Sequence, residues 1–289
     1  MQHSAQNNKI SVVTGTYNRL PYLKLTIDSI RKELKNLNYE IIVVDGGSTD
    51  GTPQWLAKQK DILTIIQHNR GAWKGTPIQR RSWGYFMNLG FKAAEGTYIC
   101  MLSDDCLIVP GAIKNGYELF EQKLTAHEKI GAIAFYWRNW PEETAYRVGL
   151  TLGGKMFVNH GLYLKSALSE VGYIDEETFS FYHADGDLCL KLWQQGYECI
   201  ESPDSYIEHH SHANTAVRKS NSTQQQDDWQ KYLKKWTGIF YDGTTSNTGT
   251  DIKKDFTDTA MTAAQFKKAG YFNYFIRIKL KHTIKQWIR

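Results

Sequence analysis

Cysteine is sparse: 4 in 289 residues, and Cys100, Cys106, Cys189 and Cys199 make no CxxC or other metal-ligating spacing. That excludes a disulfide-stapled scaffold and a zinc ribbon, and it predicts buried free thiols in a reducing compartment. No apolar run is long enough to span a bilayer. The opening residues, Met1 to Lys9, are polar and carry no apolar signal region. The expected location is therefore the cytoplasm, at most peripheral on the inner face of the membrane. Two nucleotide motifs are missing as well. The turn after the first apolar run, Gly15-Thr-Tyr-Asn-Arg19, is not GxGxxG, and no GxxxxGK[ST] occurs, which excludes a dinucleotide-binding Rossmann domain and a P-loop. HExxH and internal repeats are absent too. The net charge of +5 is mild and no nucleic-acid module is recognisable, so no nucleic-acid partner is expected.

What is present argues an α/β domain. Short β-branched runs at Ile10–Thr14, Glu40–Asp45 and Leu63–Gln67 alternate with helical patterns. Pro21 opens one such pattern, with Leu23, Ile27, Ile30 and Leu34 on one face. A helix over Trp83–Ala94 precedes the strand Tyr98–Leu102, which is apolar throughout and stops at Ser103-Asp104-Asp105. The alternation predicts a mostly parallel sheet flanked by helices. Beyond it, the pattern predicts a helix from Pro110, strands over Gly131–Trp137 and Gly153–Leu164, and a helix over Asp187–Gln195 capped by Asp187. From Ala213 the chain turns polar and turn-rich around one helix, Trp229–Trp236. Two acids at the end of a buried strand sit where ligands bind in open α/β sheets. They need a positive partner, and a divalent metal carrying substrate phosphates would serve.

The order of these segments resembles the family 2 glycosyltransferases of the GT-A fold. Ser11–Arg19 is similar to the family's first strand and turn. Ile41–Thr52 (IIVVDGGSTDGT) is a near-verbatim match to its most recognisable segment. Asn69-Arg-Gly71, Ala94–Ile99, Val171–Asp175 and His183–Leu188 follow in the family's order. The resemblance implies a GT-A type Rossmann-like fold in which residues 9–105 bind a nucleotide sugar and 106–212 form the acceptor-binding, catalytic half. Residues 213–289 would be a helical, partly irregular extension.

It also implies roles by position. Thr14, Thr16, Tyr17 and Asp45 fall where the family holds the nucleoside. The metal-binding DxD falls on Ser103-Asp104-Asp105, with a serine in place of the first acid. Asp105 is then the expected ligand of a divalent metal (Mn or Mg), and Asp104 a contact to donor ribose or sugar. The family's catalytic Glu-Asp falls on Ala184-Asp185, which gives Asp185 the base role. A late histidine completes the metal or diphosphate site, and His209, His210 and His212 compete for it. Arg80 and Arg81, just before the acid-ended strand, are candidates to touch the diphosphate.

The chemistry implied is inverting transfer of a sugar from a nucleotide-diphosphate donor to a hydroxyl. Asp185 takes the acceptor proton, while metal or cations take the charge of the leaving diphosphate. The residues leave two other readings open: a catalytically impaired binding or assembly module, suggested by Ser103 and Ala184, and a sugar-phosphate nucleotidyltransferase. The tail from Tyr271 to Arg289 interleaves aromatics with five cations and no acid. That mixture fits an anionic membrane surface and a glycan or lipid-linked acceptor in surface polysaccharide synthesis.

Overall fold

The structure, a computed structural model, describes residues 8–139, 143–210, 222–244 and 250–254. Four strands form its parallel half: β1 (Ile10–Thr16), β2 (Tyr39–Asp45), β3 (Ile62–Ile66) and β6 (Tyr98–Met101). They lie side by side in the order β3-β2-β1-β6. A small hairpin, β4 (Ala72–Trp73) with β5 (Thr76–Pro77), interrupts the run after β3. The crossovers are α1 (Leu20–Leu34), α2 (Thr52–Leu56) and α3 (Trp83–Ala93). Pro21 stands in the first turn of α1, and Leu23, Ile27, Ile30 and Leu34 are all buried, as their spacing predicts. Successive strand residues serve opposite faces: Val12 joins the core beneath α1, while Val13 joins the one beneath α3. At Gly90 a Cβ would come 2.4 Å from Val13 Cγ1, so the missing side chain lets α3 press directly onto β1.

The second half is mixed rather than parallel. It comprises β7 (Cys106–Ile108), α4 (Ala112–Thr125), β8 (Ile130–Asn139), β9 (Tyr146–Gly149), β10 (Gly161–Leu164), α5 (Lys165–Glu170), α6 (Ala184–Gln194), β11 (Glu198–His209), α7 (Gln225–Trp236) and β12 (Asp251–Lys254). From β6 the sheet continues antiparallel through β10, β8, β9 and β12, and β11 runs parallel to β8 and antiparallel to β7. Parallel pairing joins β3, β2, β1 and β6 and recurs between β8 and β11, while the other pairs are antiparallel. Short connections such as that from β8 to β9 are too brief for a helical crossover, so the strand returns antiparallel. The expected strand over Gly153–Leu164 is also shorter. Gly153 and Gly154 adopt φ of 64° and 65° and break the extended run, so that Gly161–Leu164 is the strand and Met156 forms an isolated bridge to Leu150.

All four cysteines are buried and unbridged. Among the described residues no helix is long and apolar enough to cross a membrane. The basic aromatic tail, residues 271–289, lies outside the described residues.

Candidate active site at the carboxyl ends of the parallel strands

β1 and β2 end side by side, Thr16 paired with Asp45, and the turns that follow are laced together. Asn18 takes φ of 53°, accepts a hydrogen bond from Thr49 N at its Oδ1 (2.7 Å), and donates its own N–H to Ser48 Oγ (2.8 Å). Asp45 Oδ1 accepts from the N–H groups of Gly47 and Ser48 at 3.0 and 2.9 Å. Gly47 has φ of +84° and a Cβ there would stand 2.5 Å from His68 Nδ1, so this turn demands glycine. Burial raises the Asp45 carboxyl, with the Ser48 and Gly47 hydrogen bonds opposing. These contacts fix where Tyr17 and Arg19 emerge.

Asp104 and Asp105 follow β6, with exposures of only 2% and 1%. Their positive partner is Arg19, whose Nη1 lies 2.8 Å from Asp104 Oδ1 and 3.0 Å from Asp105 Oδ2. Thr16 Oγ1 donates to Asp104 Oδ2 at 2.7 Å. His209 Nε2 stands 3.3 Å from Asp105 Oδ1, and its Nδ1 is 3.0 Å from Asn139 Oδ1. The neighbouring His210 N–H donates to the Asp105 carbonyl at 2.8 Å. Burial drives the Asp104 carboxyl up to about 6; the Asp105 charge adds to this, while Arg19 and Thr16 pull against it.

A cavity of about 200 Å³ opens over this turn. Thr16, Tyr17, Arg19 and Asp104 line one side, and Arg70, Arg80 and Arg81 reach it from the segment after β3. Asn69 closes that segment on itself: Arg81 N–H donates to its Oδ1 at 2.5 Å and its Nδ2 donates to the Arg81 carbonyl at 3.2 Å. The Arg70 guanidinium lies 5.1 Å over the Tyr17 ring. Burial, and then the nearby Arg70 charge, push the Arg80 guanidinium below its ordinary value. The far wall is Asn159, Ser180 and Phe181. Asn159 Nδ2 donates to Asp185 Oδ2 at 3.2 Å, so Asp185 stands one side chain behind the cavity. Burial raises the Asp185 carboxyl, opposed by the Gly186 N–H, His183 and Asn159.

That far wall is held by α7. Asp228, wholly buried, accepts the backbone N–H groups of Ser180, Phe181 and Tyr182, each at 2.9 Å. Lys235 bridges Asp175 and Asp187 at 2.7 and 2.9 Å, and Trp236 Nε1 donates to Asp187 Oδ1 at 2.9 Å. Asp187 therefore does not cap α6: the helix begins at Ala184, and the Asp187 side chain turns away from its end to meet α7.

The family model described as glycosyl transferase family 2 matches residues 11–166, more than half of the chain. The chain belongs to glycosyl transferase family 2. Its relatives include glycosyltransferase GlyG of Streptococcus pneumoniae, 30% identical over 39% of this chain and 36% of GlyG. Chondroitin synthase of Escherichia coli is 27% identical over 36% of this chain, and the aligned stretch spans 14% of that protein. Among solved structures, mannosyltransferase PcManGT from Pyrobaculum calidifontis, in complex with GDP-Man and Mn2+, superposes with a TM-score of 0.57 at 18% identity, covering 83% of this chain and 66% of that one. TarS of S. aureus (residues 1–349) gives 0.52 at 18% identity, covering 78% and 69%. These likenesses establish the GT-A fold.

Of the residues expected in this family 2 site, Thr16, Tyr17, Asp104, Arg80 and Arg81 come together at the cavity, and Asp185 reaches it through Asn159. Thr14 is sealed inside β1, and Asp45 faces its own turn. The two acids are unequal: Asp104 was the expected contact to donor ribose or sugar and Asp105 the expected metal ligand. Asp104 faces the cavity, whereas Asp105 lies behind it between Arg19 and His209, because the chain turns straight into β7 after it. His209 and His210 both meet Asp105, and His212 lies outside the described residues. The sequence reading passed over Arg19, Asn159, Phe181 and Asp228. Arg19 ended a quoted motif, yet nothing local says that its guanidinium turns back to residues 104 and 105.

Proposed function

We propose that this protein transfers a sugar from a nucleoside diphosphate donor to an acceptor hydroxyl with inversion. The observation that carries it is one cavity at the carboxyl ends of β1, β2 and β6 that gathers an aromatic ring (Tyr17), four arginines and Asp104, with Asp185 one hydrogen bond behind its far wall. Tyr17 offers a face to the base, and the arginines suit phosphate oxygens. Asp185, its carboxyl raised toward the working range by burial, takes the acceptor proton. GDP-Man in the mannosyltransferase and UDP in a TarS complex that superposes at a TM-score of 0.52 are a nucleotide sugar and a nucleoside diphosphate held by similar folds. In this reading residues 9–105 carry the donor and 106–212 the acceptor. The acceptor is a surface glycan or its lipid-linked precursor, reached at the inner face of a membrane through residues 271–289.

The divalent metal expected at the acids does not fit them as they stand. Arg19 occupies the space between the two carboxylates. Among the described residues no three His, Cys, Asp or Glu side chains converge as ligands.

Two measurements test the function. A bound nucleoside diphosphate raises the melting temperature with the logarithm of its concentration, and a panel of UDP, GDP, ADP, CDP and TDP must include at least one that does so. Asp185→Asn should keep that binding while slow hydrolysis of the matching nucleotide sugar falls about 10²- to 10⁴-fold. A protein that binds none of the panel is not this enzyme.

A further inference from the structure

The leaving group of the proposed reaction is a nucleoside diphosphate, and the charges lining the cavity indicate how its charge is met. Among the described residues the charged lining side chains are Arg19, Arg70, Arg80, Arg81 and Asp104. Arg19 is held by Asp104 and Asp105, and Thr16 donates to Asp104, so the lining cations beyond that group are Arg70, Arg80 and Arg81. A divalent metal cancels most of the charge on a diphosphate, and a cavity built for that near-neutral complex gains little from three further guanidinium groups. A bare diphosphate, with two negative charges in the bound donor and a third gained on departure, matches them. Guanidinium groups also bind phosphate oxygens in pairs, with fixed geometry.

The acid turn points the same way. A metal-binding carboxylate needs lone pairs aimed at the ion from about 2.0–2.6 Å. Here Asp104 Oδ1 and Asp105 Oδ2 face Arg19 Nη1, Asp104 Oδ2 accepts from Thr16, and Asp105 Oδ1 faces His209 Nε2. Ser103, in the remaining position, contributes only a neutral hydroxyl. The Asn18 turn that launches Arg19 is bonded to Ser48 and Thr49, and the guanidinium itself is held by both carboxylates. Removing it would leave two buried like charges adjacent to each other.

We infer that this chain meets the charge of the departing diphosphate with fixed guanidinium groups in place of a divalent metal. Arg19 is held on the Asp104–Asp105 pair, and Arg70, Arg80 and Arg81 face it across the cavity. The inference rests on the glycosyltransferase reading. In the step it serves, the acceptor O–H gives its proton to Asp185 and its oxygen bonds to the anomeric carbon. The bond from that carbon to the diphosphate breaks, and its electron pair leaves on the phosphate oxygen that faces the arginines.

The test is calorimetric titration of the full chain with the same nucleoside diphosphates, once in EDTA and once in MnCl2, with Mn2+ uptake followed separately by EPR. The expected result is binding in EDTA within about twofold of that in Mn2+. Arg80→Ala and Arg81→Ala should each weaken binding about tenfold or more in EDTA. The wild-type protein should leave Mn2+ free in solution, while Arg19→Ala, which uncovers both acids, should take it up. The EDTA titration stands even if that variant does not fold. Binding of a nucleoside diphosphate only when Mn2+ is present overturns the inference and leaves the glycosyltransferase reading intact. Binding in neither buffer overturns both.

Discussion

One wall of the cleft is made of strand ends and the turns that follow them, and the opposite wall is a loop held from behind by a helix far along the chain. On the first, Thr16 ends β1, Tyr17 follows it, and Asp104 follows β6; neighbouring backbone positions and crossed turns hold them. On the second, Ser180 and Phe181 owe their positions to Asp228, and Asp187 is tied to Lys235 and Trp236. The family match ends at residue 166, so the first wall lies inside it while α6 and α7 lie beyond. The contrast teaches that the first wall rests on strand ends inside the family match, held by neighbouring strands and turns. The far wall is held by contacts from a helix much later in the chain.

The largest effect that would break this contrast is expected at Asp228. Asp228→Ala strands three backbone N–H groups in a buried setting, a loss of about 3 kcal/mol or more. A thermal melt should register it as a fall of roughly 10 °C. Asp228→Asn retains one acceptor oxygen and should recover part of the melting temperature and more of the turnover. If Asp228→Ala melted like the wild type and transferred sugar at the same KM and kcat, α7 would not be holding the far wall.

The same contrast explains what could be read from the residues alone. The strands β1, β2 and β6 are apolar runs bounded by turn residues, and α1 shows its buried face in Leu23, Ile27, Ile30 and Leu34, so this half was legible. Tyr17, Thr16 and Asp104 follow because a strand end carries its next residues to a known edge of the sheet. Asp185 was placed by its motif. Its link to Asn159, 26 positions away, depends on the return of β10 and could not be read. Asp187 looked like a cap because acids before an apolar helical run usually are, and a partner at position 235 leaves no local trace. Arg19 was hidden for the same reason: its contacts lie 85 and 86 residues on. Local periodicity sees elements, whereas charge pairing across them is a tertiary fact.

A smaller effect should appear on the first wall. Tyr17 is half-buried at the cavity, so Tyr17→Ala should leave the melting temperature near that of the wild type. Loss of a stacking face for the base should weaken nucleoside diphosphate binding by about 1–3 kcal/mol. Calorimetry of the two variants then separates the walls, with Asp228→Ala losing stability first and Tyr17→Ala losing affinity alone. A Tyr17→Ala protein with unchanged affinity would place the base elsewhere.

The smallest effect concerns the hydrogen bond that joins Asn159 of the lining to Asp185, the proposed base. Asp185 must be ionised to accept a proton, and burial raises its carboxyl above the ordinary value near 3.8. Turnover should therefore fall as pH drops through that raised value, above the range where an exposed aspartate would protonate. Asn159 donates to Asp185 Oδ2 and so favours the ionised form. Asn159→Ala removes that donor, lifts the carboxyl further, and moves the acid limb of the kcat/KM profile to higher pH. Stability carries the matching sign. The folded state binds this proton more tightly than the unfolded chain, so ionising Asp185 costs stability as pH rises from about 3.8 through the raised value. The variant should extend that window upward. An acid limb that stayed in place in Asn159→Ala, with turnover otherwise intact, would mean that Asp185 is not the group whose ionisation the profile records.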